Sequence, residues 1–484
     1  MSTMLTTGIS DLDRILGGGL RPGSLVVLAG APGSGKTILA QQFCFANATP
    51  ERPALYYTTL SEPHSKLVRH LEGFTFFDTA ALENSIEFHH LAALADASGD
   101  LPMSAVSGEV IRGAFERRPS VIVIDSSKAL HEVEGAGFRR SVYELASTVA
   151  HTEAVLVLVG EYELEDTRTA AEFAVADAII YLANESVGLR DRRWLRVLKL
   201  RGSSYMTGQH TFRIGQTGIS VFPRPEASPT APQEAFGEKI ESGVPGLDPM
   251  LGGGIPGRSL TLIAGPSGAG KTVMSLQFLM KGLERGEPCL YASFQESERQ
   301  LVSKASHFGW NMDPDTASAK LAILHIQPVE LGLDVVAAEL RRAARSIGAR
   351  RIVIDSLAEL QNSAPDGRFA DFLWAIVGEL RAEGASLVVT SETKAFFGPN
   401  FELAQGLSYV ADNVVLLRYA ELDSEIRRAM VVVKMRDSDH VKSLVEFEVG
   451  PHGAEVKGKF AGVSGVLSGT PTPTEQRFRE FFGR

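Results

Sequence analysis

Gly30-Ala-Pro-Gly-Ser-Gly-Lys36-Thr37 carries the spacing G-x-x-x-x-G-K-[ST], and Gly265-Pro-Ser-Gly-Ala-Gly-Lys271-Thr272 repeats it in the second half of the chain. Each stretch follows a short apolar run, Leu25 to Ala29 or Leu260 to Ala264, and precedes helical spacing such as Ile38, Leu39, Gln42 and Phe43. A strand, a glycine-rich turn and a helix in that order make a phosphate cradle, because glycines let backbone N–H groups close on phosphate oxygens. The helix start adds a partial positive charge of about half a unit. Candidate contacts are Gly30, Gly33, Ser34, Gly35, Lys36 and Thr37 in the first stretch, and Gly265, Gly268, Ala269, Gly270, Lys271 and Thr272 in the second. The two lysines are expected to reach β- and γ-phosphates, and the Thr37 and Thr272 hydroxyls to face Mg2+.

The repeat extends well beyond these loops. Leu5 to Ser24 reads almost onto Lys239 to Ser259, and the pairs Gly17 and Gly252, Lys36 and Lys271, and Lys199 and Lys434 all share one displacement. Two copies of one domain follow. β-Branched runs alternate with helical stretches in both, so the fold class is α/β: two tandem domains, each a mostly parallel sheet flanked by helices. The first is expected over 1–222 and the second over 237–462. Between them, residues 223–236 hold Pro223, Pro225, Pro229 and Pro232, which withhold backbone donors and predict an extended linker. Glycines and prolines after Phe460 mark 463–484 as a tail.

Each copy also offers an apolar strand closed by an aspartate, Val121-Ile-Val-Ile-Asp125 and Arg351-Ile-Val-Ile-Asp355. An acid at the carboxyl end of such a strand is placed for the shell of a phosphate-bound Mg2+. Hydrolysis further needs a carboxylate to orient a water, and Glu62 after Ser61 and Glu296 after Gln295 are the candidates. Lys199-Leu-Arg201 and Lys434-Met-Arg436 alternate across a strand, which predicts that both cations of each pair face one side. They form either a solvated basic edge or a clamp on phosphate oxygens, inserted into a neighbouring subunit's site.

The chain has 484 residues, 48 Lys and Arg against 58 Asp and Glu, and a formal charge of −10. That balance gives no bulk attraction for nucleic acid or an anionic membrane. Cys44 and Cys289 form no ligand pair and read as buried reduced thiols. No apolar run reaches the roughly 18 residues of a spanning helix, and the N-terminus lacks a secretory pattern, so a cytoplasmic location is expected.

Together these residues resemble the KaiC family of RecA-like ATPases, over nearly the whole chain to about Thr472. The resemblance implies two RecA-like P-loop NTPase domains stacked as a homo-hexameric double ring, with ATP between adjacent subunits. It implies that Lys199, Arg201, Lys434 and Arg436 reach across to a neighbour's γ-phosphate. Arg193 and Arg428 stand where a further nucleotide-contacting arginine lies, and Phe308 where an aromatic packs on the base. It also implies a second domain that phosphorylates itself, with Ser408 at the acceptor position and Tyr409 in place of the adjacent threonine. Two departures are plain. Ser61 and Gln295 replace the first of two successive glutamates, and the tail after Thr474 is shorter than the segment that recruits a KaiA-type activator. A KaiB-like signalling partner remains in the expectation; dependence on KaiA does not.

The leading functional expectation is therefore an oligomeric ATP-driven timing or signalling enzyme, with hydrolysis in the first domain and serine autophosphorylation in the second. A RadA-like recombination ATPase is the alternative that shares the core; the acidic balance and the lack of a basic, aromatic-interleaved loop argue against stable nucleic acid binding. A nucleotide-gated scaffold with little turnover is the third reading, motivated by Ser61 and Gln295.

Overall fold

Continuous apolar runs of four to six residues, with no polar alternation, are the mark of strands buried on both faces. In the computed structural model they form two sheets, one in each of two units, Met1–Ala227 and Ser228–Arg484. The structure describes residues 4–58, 64–94, 101–127, 138–168, 170–187, 190–228, 235–312, 320–327, 332–364, 367–393, 407–422, 425–460, 463–464 and 472–473.

The first unit contains β1 (Leu25–Gly30), β2 (Ala54–Thr58), β3 (Ile86–His90), β4 (Val121–Asp125), β5 (Val155–Glu161), β6 (Ala178–Val187), β7 (Arg190–Leu200), β8 (His210–Gly215) and β9 (Gly218–Phe222). They lie in the order β3-β2-β4-β5-β1-β6-β7-β8-β9. The pairs from β3 to β6 are parallel, and the last three strands are added antiparallel. β1 alternates: Val26 and Leu28 pack in one core, Leu25, Val27 and Ala29 in the core on the opposite face.

The second unit repeats this plan after a short antiparallel ribbon, β10 (Gly237–Ile240) with β11 (Ile255–Gly257). Its main strands are β12 (Leu260–Gly265), β13 (Cys289–Ser293), β14 (Leu321–His325), β15 (Arg351–Asp355), β16 (Ser386–Glu392), β17 (Asn413–Leu422), β18 (Glu425–Lys434), β19 (Val445–Gly450) and β20 (Gly453–Lys459). The order β14-β13-β15-β16-β12-β17-β18-β19-β20 matches the first sheet strand for strand. In both, one strand separates the glycine-loop strand from the aspartate strand, β5 in the first and β16 in the second.

The α/β expectation is met, with additions at the sheet edges. β3, β8, β19 and β20, at or beside the sheet edges, escape a search for apolar runs because they mix apolar and polar side chains, as in Ile86-Glu-Phe-His-His. Within the stretch read as a linker, Pro225–Ala227 form a 3-10 turn with Pro225 buried, while 229–234 lie outside the described residues.

A buried glutamine ties each loop helix to its far hairpin. Gln42, on the helix Lys36–Asn47, accepts from the Ile219 N–H at 2.8 Å and donates to Ile219 O at 3.4 Å. Gln277, on the helix Lys271–Glu284, accepts from the Ala454 N–H at 2.8 Å and donates to Ala454 O at 3.0 Å. The hairpin corners Gly218 and Gly453 take φ of +83° and +105°, and a Cβ on either would fall within 2.9 Å of the glutamine side chain. Both cysteines are free and buried, and burial pushes the Cys289 thiol up to about 12 and Cys44 higher still. Among the described residues no helix is long and apolar enough to cross a membrane.

Candidate nucleotide sites

In each unit the glycine loop leaves the carboxyl end of the central strand and turns directly into a helix. Gly35 and Gly270 cap those helices at φ +99° and +106°, a left-handed backbone that an L side chain resists. Lys36 Nζ donates to Gly30 O and Ala31 O, both at 2.9 Å, and Lys271 Nζ donates to Gly265 O at 2.9 Å and Pro266 O at 2.8 Å. The ammonium groups thus lie folded along the loops they are expected to serve. Burial lowers both lysine pKa values; Glu161 and Asp125 oppose this for Lys36, and Glu392 and Asp355 for Lys271.

The strand-ending aspartates come together with the loop threonines. Thr37 Oγ1 donates to Asp125 Oδ2 at 2.9 Å, and Thr272 Oγ1 to Asp355 Oδ2 at 2.8 Å. A buried tyrosine from the neighbouring strand donates to the same oxygen in each copy, Tyr56 and Tyr291, both at 2.7 Å. Burial and the adjacent carboxylate hold both tyrosine pKa values well above the ordinary range, so these hydroxyls remain protonated donors. Thr390 donates to the other oxygen of Asp355. Burial raises the Asp125 pKa, and the Tyr56 and Thr37 hydrogen bonds and the Lys36 charge pull it back. Neither tyrosine was singled out from sequence, although both stand in apolar strands where a buried hydroxyl requires a partner.

This arrangement suits a phosphate with its magnesium ion. The threonine hydroxyl and aspartate carboxylate offer hard oxygen ligands at one corner of the loop. Ser34 Oγ, within the loop, is buried and without a hydrogen-bond partner among the described residues. No cluster of three or more His, Cys, Asp or Glu ligands occurs among the described residues. A phosphate-bound Mg2+ needs none, since phosphate and water complete its shell.

The candidate water-orienting acids fare differently. Glu62 lies outside the described residues. Glu296 is ion-paired with Lys304, and its Oε2 is buried without a partner among the described residues. Gln295 donates its amide to Glu359, whose other oxygen accepts from the Ser356 hydroxyl at 2.8 Å. Two acids missed from sequence end the intervening strands: Glu161 pairs in register with Gly30, and Glu392 with Gly265. The duplication was the available signal, because Glu161 and Glu392 close equivalent strands of the two copies.

Strand register separates the basic segments from their own loops. Lys199 pairs with Ile179, which pairs with Val27, and Lys434 pairs with Val414, which pairs with Leu262. Arg201 N–H donates to Asp177 O, and Asp177 N–H to Leu25 O, both at 2.8 Å. Arg201 therefore lies at the amino end of β1, roughly 16 Å of strand rise from Gly30 at its carboxyl end. The expected alternation within one strand is not how the pairs form. β7 ends at Leu200 and β18 at Lys434, so each arginine sits in the following turn. Arg201 rests 3.5 Å from Asp177 and Arg436 3.1 Å from Asp412, while Lys199 and Lys434 donate to backbone oxygens of Ala174 and Ala411.

Arg193, which the resemblance makes a nucleotide contact, donates to Gly33 O of its own chain at 2.9 Å. The reason is position: it pairs with Asn184 near the carboxyl end of the sheet. In the second copy Arg428 pairs with Tyr419, and the Tyr419 hydroxyl donates to Ser267 O at 3.3 Å. Phe308 closes the helix Glu298–His307 and stacks on Trp310 with ring centroids 4.8 Å apart. Phe74 and Phe76 form the same stacked pair in the first copy at 5.1 Å, a parallel that sequence reading missed. Ser408 falls in the short helix Leu407–Val410, and its side chain lies outside the described residues.

Comparison with known proteins agrees with this geometry. A family profile described as "ATPase: KaiC" matches residues 5–226 and again 240–460. The chain is 30% identical over 491 residues to the circadian clock protein KaiC3 of Synechocystis sp. (strain ATCC 27184 / PCC 6803 / Kazusa), covering 98% of this chain and 95% of that protein. It is 29% identical over 476 residues to the circadian clock oscillator protein KaiC of Parathermosynechococcus lividus, covering 96% and 87%. The corresponding protein of Picosynechococcus sp. (strain ATCC 27264 / PCC 7002 / PR-6) is 29% identical over 480 residues, covering 97% and 92%. With two family matches spanning both halves, and a complete glycine loop in each, this chain is a tandem member of the KaiC family of ATPases.

Proposed function

We propose that the protein is an ATP-hydrolysing timing or signalling enzyme that works as a homo-hexameric ring, each nucleotide gripped by one copy and completed by the next. The observation that carries this reading is the register of the basic segments. Lys199, Arg201, Lys434 and Arg436 stand at the amino ends of the parallel strands, whereas the phosphate loops leave the carboxyl ends. Cations so placed meet a phosphate only when it belongs to another copy. Within one copy, Lys36 with Thr37 and Lys271 with Thr272 hold the phosphates and orient them. Thr37 with Asp125, and Thr272 with Asp355, would hold Mg2+, which when bound neutralises charge on the β- and γ-oxygens.

The second domain is proposed to turn over slowly. Its base position is an amide, Gln295, and the following Glu296 is bound to Lys304. Slow hydrolysis lengthens the lifetime of bound ATP, which suits transfer to Ser408 rather than to water. Ser408 as acceptor, a KaiB-like partner and a cytoplasmic location belong to the same proposal. The names of the relatives, circadian clock proteins, support a timing role.

The test combines assembly and turnover. Light scattering with Mg-ATP is expected to give six times the chain mass, and steady-state phosphate release is expected to be unaffected by single- or double-stranded DNA. A monomer at saturating Mg-ATP, or release stimulated tenfold by DNA, contradicts the reading and favours a recombination ATPase.

A further inference from the structure

Beside Arg201 the first domain opens a cleft of about 520 Å3 lined by Arg139, Arg140, Tyr143, Ala174, Val175 and Arg201. That volume falls within the range of small-ligand sites. Three arginines line it, and among the described residues no carboxylate does. Among the described residues two acids outside the lining serve one arginine each: Glu144 pairs with Arg140 at 2.9 Å and Asp177 with Arg201 at 3.5 Å. These are open, solvated pairs, worth little against a ligand that engages several arginines together. Such a concentration of like charge, in a chain of net charge −10, calls for an anion.

The second domain keeps the scaffold, and Arg436 in the place of Arg201, but not the other two arginines. Phe138, Val142, Leu145 and Val149 are the buried face of the helix Phe138–Ala150, and Phe369, Leu373, Ile376 and Leu380, at the same spacing, are the buried face of Arg368–Ala382. The exposed positions then correspond directly: Tyr143 becomes Trp374, but Arg139 and Arg140 become Ala370 and Asp371. Arg139 thus meets a neutral residue and Arg140 an acid, so these two charges belong to the first domain and not to the shared scaffold.

We propose that Arg139, Arg140 and Arg201 form an anion cleft particular to the first domain, which takes the phosphoryl oxygens of a nucleotide carried by a second copy of this chain. The ligand class follows from the donors: guanidinium forks match the paired oxygens of phosphate, and three of them suit a polyphosphate better than one carboxylate. The source follows from Arg201, which the sheet register holds away from its own loop. The exposed Tyr143 also lines the cleft. This inference rests on the reading that each nucleotide is completed by a second copy. It adds two arginines that the duplicated basic segment does not contain.

The test is a mixing experiment, with every chain carrying Lys271→Ala so that only first domains turn over. Chains with Lys36→Ala cannot grip phosphate but keep the cleft; chains with Arg139→Ala and Arg140→Ala keep the loop but lose the cleft. Each alone is expected to fall at least about tenfold in turnover, and an equal mixture to recover about a quarter of the parent rate when subunits mix at random. Arg139→Lys with Arg140→Lys keeps the charge and is expected to recover part of the loss. A parallel mixture uses Arg201→Ala chains. If that mixture recovers while the Arg139, Arg140 mixture gives only the average of its parts, the cleft assignment fails and the two-copy site stands. If neither recovers, the two-copy reading fails and carries this inference with it. Binding of inorganic tripolyphosphate, followed by calorimetry, supplies a readout apart from turnover. Its loss in the arginine variants without recovery on mixing would assign the cleft to a free anion and overturn the proposal.

Discussion

Lys36→Ala and Lys271→Ala are each expected to reduce hydrolysis by their own domain at least about 100-fold, and together to bring phosphate release to the buffer blank. Loss of one preorganised cation on developing phosphate charge typically costs about 3 kcal/mol of barrier, which is that factor. The structure explains why nothing substitutes. Each ammonium lies against two carbonyl oxygens of its own loop, so the charge is already positioned before nucleotide arrives. Arginine in its place has a longer planar head, and Lys36→Arg is expected to remain inactive. The same burial makes the sites pH-sensitive. Because both lysine pKa values lie below the ordinary range, rising pH is expected to weaken nucleotide binding sooner than a free lysine implies. In that range each binding event takes up a proton, seen as a buffer-dependent heat. A double variant keeping a tenth of the parent rate would contradict the assignment.

Gly30→Ala is expected to cost the first unit about 3 kcal/mol or more, through overpacking and a disfavoured φ. Gly30 takes φ +148°, and a Cβ there would be driven into the carbonyl oxygen of Leu182 on β6, a backbone atom with no freedom to withdraw. Gly33 is the informative comparison. Its φ is +71°, but a Cβ would meet nothing within 4 Å, so Gly33→Ala carries only the backbone strain. Denaturant unfolding followed domain by domain is expected to show the first unit destabilised at least twice as much by Gly30→Ala as by Gly33→Ala, with the second unit unmoved. Equal effects would mean that the close approach of β1 and β6 contributes little.

Much of the fold and part of the site were legible in the chain. A glycine loop repeated at a fixed displacement gives two domains, and apolar runs before each loop give the central strands. Legibility stops where a position depends on pairing rather than on local pattern. Lys199 and Arg201 read as one strand face, yet a bulge and the end of β7 place the arginine in a turn. Arg193 and Arg201 belong to one basic stretch, and only the sheet register shows that the first returns to its own loop while the second sits at the opposite end. Tyr56, Tyr291, Glu161 and Glu392 look like ordinary strand residues until neighbouring strands bring them to the loop. The cleft at Arg139 was invisible for the same reason, since helix and turn meet only in the folded unit.

The central claim is that both cradles take a nucleotide. Equilibrium dialysis of the unmodified chain against a labelled, non-hydrolysable ATP analogue with Mg2+ tests it most directly. Two nucleotides bound per chain at saturation is the expected result; a plateau at one, or at none, would contradict it.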